Sequence, residues 1–135
     1  MIDGVNDVGY EIVDIIFPTG LDKIVDITND NIDVDVYLND GYRYSVVVST
    51  PKSYLTQMSE NNIDYIEAGP PDIIVKCLTE DNIKRAIETY LPFNAYWLKI
   101  FTLAGDNTGA FDIKVMNEMM ELKKKKRGEI FDQDI

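Results

Sequence analysis

A chain of 135 residues and 15.4 kDa, 45% hydrophobic and 27% charged, has the size and composition of one globular domain. Its formal net charge of −11 opposes nucleic acid as a partner. Histidine is absent, which removes the commonest general base and the commonest metal ligand. The single Cys77 excludes an internal disulfide and a multi-cysteine metal site, and its apolar neighbours read as a packed, inert thiol. The first residues, Met1-Ile2-Asp3-Gly4, carry no basic and apolar leader, and no apolar run reaches the ~18–20 residues of a membrane span. A cytoplasmic protein with no membrane partner is therefore expected.

The charge is segregated along the chain. Residues 1–75 hold 14 acidic side chains against Lys23, Arg43 and Lys52, while residues 76–135 balance ten acids with ten bases. One strongly negative face follows if the first part folds as a unit, and such a face steers basic partners inward.

In chain order, Tyr10–Phe17 and Lys23–Thr28 read as strands separated by a Pro18-Thr19-Gly20 turn, with Asp14 and Asp26 interrupting their alternation. Ile32–Leu38 alternates apolar and polar residues with period two, and Tyr42–Val48 is rich in β-branched and aromatic residues. Loop length decides their register. A two-residue Asp40-Gly41 loop would set Asp35 beside Val46 and Asp33 beside Val48. A three-residue loop with a left-handed Gly41 instead pairs Leu38 with Tyr42, Val36 with Tyr44, Val34 with Val46 and Ile32 with Val48. The second arrangement makes one face apolar and leaves Asp33, Asp35, Tyr37, Arg43 and Ser45 on the other, with Val47 as an exception. It is the register expected.

Thr50-Pro51 opens a helix to about Glu60 that buries Leu55 and Met58. Ile63–Glu67 reads as a short strand, and Ile73–Leu78 as a fully buried one. Thr79 caps a helix whose Ile83, Ala86, Ile87, Tyr90 and Leu91 follow the 3.6-residue period until Pro92. The aromatic stretch Ala95–Leu103 reads as another strand, with Trp97 in the core. A last helix spans about Phe111 to Lys126. The expected architecture is α+β: a mostly antiparallel sheet of five or six strands with two or three packed helices. A single domain over residues 1–135 is expected, with 123–135 as an exposed C-terminal tail.

No constellation supports catalysis. Asp33 and Asp35 lie ~7 Å apart on one strand face, but an exposed strand gives a carboxylate pair no apolar pocket for acid–base work. The calcium-loop pattern fails before Gly41, and Gly105–Gly109 lacks the spacing and lysine of a phosphate loop. No catalytic residue, metal ligand or cofactor is assigned. Asp33 and Asp35, with Asp26, Asp30 and Asp40 near them and Tyr37 as an aromatic anchor, form either solvated sheet surface or a site for a basic protein partner. The run Lys123–Arg127 complements a helix C-terminus or meets an acidic face. Met116, Met119 and Met120 form either core or a dimer-forming stripe.

In size, charge and α+β build the chain resembles the small cytosolic immunity proteins of bacterial toxin systems, including those of contact-dependent inhibition and polymorphic toxins. The resemblance implies an inhibitor that neutralises a cognate toxin domain, often a basic nuclease, and that is not itself an enzyme. The alternative reading is a dimeric structural or adaptor module assembled through the Met-rich C-terminal helix.

Overall fold

A computed structural model describes residues 9–67, 69, 71–105 and 111–133. They fall into two compact units, residues 1–105 and residues 106–135. The first holds β1 (Ile12–Ile16), β2 (Asn31–Leu38), β3 (Arg43–Ser49), α1 (Pro51–Glu60), β4 (Ile73–Ile74), α2 (Glu80–Glu88) and α3 (Pro92–Gly105). The second holds α4 (Ile113–Gln133).

The β2–β3 hairpin is the centre of the sheet, and its register is the one that leaves a wholly apolar face. Ile32 pairs with Val48, Val34 with Val46 and Val36 with Tyr44. Gly41 adopts φ 85°, a conformation a side chain resists. The Leu38 N–H donates to the Tyr42 carbonyl (3.4 Å), and the Asp40 carboxylate accepts from the Tyr42 N–H (2.9 Å), closing the turn. Val34, Val36 and Val48 are completely buried. Each such side chain contributes roughly 1.5–3 kcal/mol by leaving water.

Strand order is β1-β2-β3-β4, with β1–β2 and β2–β3 antiparallel and β3–β4 parallel. The described residues therefore form an α+β fold with a four-stranded mixed sheet and four α-helices. This corrects the expectation of five or six mostly antiparallel strands with two or three helices. Each lost strand has a local cause. In the Lys23–Thr28 stretch, Leu21–Lys23 makes a single 3-10 turn, and the Asp26 carboxylate takes both the Thr28 N–H (3.0 Å) and hydroxyl (2.7 Å). Such local bonds compete with a ladder. Ile63–Glu67 runs through bends without pairing. The Ile73–Leu78 segment is strand only at Ile73–Ile74, because β3 ends at Ser49 and the parallel chain runs past it. Past Ile74 it bends at Lys76 and Cys77, with Ile73, Val75 and Leu78 buried while Ile74 and Lys76 face out.

The largest departure is α3. Ala95, Leu98 and Phe101 recur at helical spacing and are the residues that become buried, while Trp97 is 52% exposed against the edge of Tyr96. The helix opens through a left-handed turn at Phe93, Asn94 and Ala95, with φ of 60, 63 and 52°. Left-handed backbone costs roughly 1–2 kcal/mol per non-glycine residue. Complete burial of Ala95 and its N–H bond to the Leu91 carbonyl (3.0 Å) hold it there.

The other helices start as their caps dictate. Thr50 accepts from the Ser53 N–H (3.3 Å) ahead of Pro51, and Thr79 accepts from the Asn82 N–H (3.1 Å). In α1 the half-buried side chains are Ser53, Tyr54, Thr56 and Met58; Leu55 points to solvent. α2 buries Ile83 and Ile87. These join Ala95, Leu98 and Phe101 of α3 in one cluster with the apolar face of β2 and β3. In the second unit, Asp112 caps α4 by accepting from the Lys114 N–H (2.8 Å).

Candidate functional site

With α2 and α3 on the apolar face of β2 and β3, the opposite face is left to polar side chains. Alternation along β2 puts Asp33, Asp35 and Tyr37 there, and β3 adds Arg43, Ser45 and Val47 in register. Asp33 and Arg43 are exposed, and Asp35, Tyr37, Ser45 and Val47 are half-buried. Asp35 accepts a hydrogen bond from the Ser45 hydroxyl directly across the ladder (3.0 Å), which orders one carboxylate beside its exposed neighbour Asp33.

β1 extends the same face. Its register with β2 shifts between Ile12 and Asp14, a bulge that leaves Val13 exposed and brings Asp14 opposite Tyr37 and Ile16 opposite Asp35. Tyr37 thus sits between Asp14 on one side and Arg43 on the other. Sequence reasoning missed Asp14 because it interrupts the alternation of Tyr10–Phe17. The interruption was the signal: one extra residue in an edge strand restores the pattern.

The sequence-predicted residues do not all converge. Asp33, Asp35 and Tyr37 share the outer face. Asp40 lies in the hairpin turn, where it accepts from the Tyr44 hydroxyl (2.6 Å), and Tyr44 belongs to the apolar face. Burial and then this carboxylate raise the Tyr44 hydroxyl far above the usual tyrosine range. Asp26 and Asp30 lie in the segment between β1 and β2. The side-chain and backbone bonds from Thr28 hold Asp26 below the usual carboxylate range. Asp30 accepts from the Asn31 N–H (2.8 Å), and its backbone is joined to Thr50.

A second polar cluster ties the end of β3 to α1. The Asp72 carboxylate accepts from the Ser49 hydroxyl (2.8 Å) and the Tyr54 hydroxyl (2.7 Å). Burial, and after it the bond to Asp72, raises Tyr54 above its ordinary value. With both donors spent on Asp72, this cluster is a structural clasp. The groove past α1, about 390 Å³, is lined mainly by amide and apolar side chains including Gln57, Asn61, Ile63 and Ile66.

Among the described residues no group of three or more His, Cys, Asp and Glu side chains stands close enough to hold a metal ion. Cys77 is half-buried and accepts from the Asn82 amide at Sγ (3.2 Å). No helix of the described residues is long and apolar enough to cross a membrane. Compared with protein families, curated proteins and solved structures, the chain matches none.

Proposed function

We propose that this chain is a binding protein that holds a basic protein partner against the outer face of its sheet. In the sharpest form of this reading it is an immunity-type inhibitor of a basic toxin or nuclease. The observation that carries it is the grouping of Asp14, Asp33, Asp35 and Tyr37 on one face of two paired strands, with Arg43 opposite Tyr37 as the cation that β3 adds there. Carboxylates fixed on a rigid sheet cost little ordering entropy on binding, and a half-buried tyrosine supplies contact area at their centre. Such a face can occupy the cationic surface with which a nuclease meets phosphates. The excess of acids over bases in residues 1–75 extends its attraction beyond the contact itself.

The test begins with capture from a native lysate at low salt on immobilised native chain, with the Asp33→Lys, Asp35→Lys chain as the control. The captured protein is then studied by stopped-flow association across ionic strength. The reading expects an on-rate that falls steeply with salt and that the double reversal lowers and flattens. On-rates equal for the two chains and unchanged by salt would remove the acidic face from the mechanism.

A further inference from the structure

The edge of β3 that faces away from β2 is only partly filled. Among the described residues β4 pairs there with Val48 and Ser49 alone. Just upstream of β4, Pro70-Pro71 has no N–H with which to carry the ladder back along Arg43–Val47. In the middle of this stretch stands Thr102 of α3. Its hydroxyl accepts from the Ser45 N–H (3.1 Å) and donates to the Ser45 carbonyl (3.5 Å). A strand residue directly opposite Ser45 in an antiparallel pair would serve the same two groups with its own backbone. α3 is also at odds with its own sequence. Tyr96, Trp97, Ile100, Phe101 and Thr102 are residue types that favour strands. The helix is entered through three left-handed non-glycine residues, Phe93, Asn94 and Ala95, and such strain gathers in segments that switch. Complete burial of Ala95 and Leu98 is what the helix gains in return.

We propose that residues 100–104 are a conformational switch: helical in the major state and, in a minor state, a further strand antiparallel to Arg43–Val47 with Thr102 opposite Ser45. The register keeps together two residues that already touch, and it sorts the rest by face. Phe101 falls opposite Val46 and Leu103 opposite Tyr44, apolar against apolar on the inner face. Thr102 falls beside Ser45 on the outer face, and Ile100 beside Val47, the one apolar residue that β3 carries there. A parallel strand would set Ile100 against Arg43 and leave Val47 only Ala104. The Thr102 N–H and C=O then replace its hydroxyl at Ser45, and the left-handed turn is no longer required. Withdrawal of Leu98 from the core keeps this state the minor one. In it the outer face is widened by Ile100 and Thr102, so a molecule that touches them there selects the strand. The switch lies in the backbone of β3 and α3 and does not depend on the acidic side chains, so the two proposals stand or fall separately.

NMR relaxation dispersion and saturation-transfer measurements on the full chain test it, because they report the population and the chemical shifts of a minor state. Exchange is expected at residues 92–105 and at Arg43–Val47, with strand-type carbon shifts for residues 100–104 in the minor state. Two substitutions that leave the sheet intact should move its population in opposite directions. Asn94→Gly relieves the left-handed turn, favours the helix and should lower the strand population by about tenfold. Thr102→Val removes the hydroxyl that the helix uses at Ser45, keeps a residue suited to a strand and should raise it severalfold. Absence of exchange in both the native and the Thr102→Val chains would overturn the proposal. So would minor-state shifts of an unfolded segment, or a population that neither substitution changes.

Discussion

Along β2, neighbouring residues have opposite fates. Val34 and Val36 are fully buried, while Asp33 just before them is exposed and Asp35 between them keeps part of its surface in water. The two sets share one backbone and one register, yet one holds the sheet to α2 and α3 and the other meets solvent. The period of two therefore separates stability from recognition: a change on one face need not be felt on the other.

That separation can be broken from the core side most forcefully. Val36→Asp puts an unpaired carboxylate at a fully buried position and should leave no cooperative unfolding transition in urea. Ile87→Ala, which empties space under α2, should cost about 2–5 kcal/mol in the same assay. Tyr44→Phe removes the bond to Asp40 and should cost about 1 kcal/mol near neutral pH. It also has a pH signature. Because the folded-state hydroxyl titrates above its unfolded value, its contribution is fully present below about pH 10 and is lost as pH rises beyond that. Stability should thus fall on the alkaline side, and less steeply in Tyr44→Phe. At the far end, Asp33→Asn should change stability by less than about 0.5 kcal/mol. Its effect should appear only as slower association with a basic partner. A destabilisation of Asp33→Asn comparable with that of Ile87→Ala would contradict the separation of faces.

The hairpin was legible because two independent signals agree in it: alternation on both strands, and a turn glycine that fixes the loop length. The caps at Thr50 and Thr79 were legible for the same reason, since each precedes a run whose local chemistry favours a helix. α3 was misread because aromatic and β-prone residues pull toward a strand, while its helical period rests on Ala95, Leu98 and Phe101 alone. Small Ala95 carries little weight in a hydrophobic pattern, although packing makes it a core residue. Ile73–Leu78 failed differently. Its residues suit a strand, but a strand exists only where a partner continues, and β3 stops at Ser49. The acidic face was partly visible. Asp33, Asp35 and Tyr37 follow from one strand's alternation, whereas Asp14 needs the β1 bulge, which pairing creates.

Asp14 also does something at right angles to that face. β1 is the outer strand of the described sheet, and the Asp14 carboxylate accepts from the N–H of Ile15, the next residue (2.9 Å). An edge whose donor is already occupied, bent by a bulge and carrying a negative charge, offers a poor template for another chain's strand. In a crowded solution this bears on whether copies of the protein stay apart at their strands. Asp14→Ala should therefore shorten the time to turbidity on gentle heating even where the folded state loses little stability.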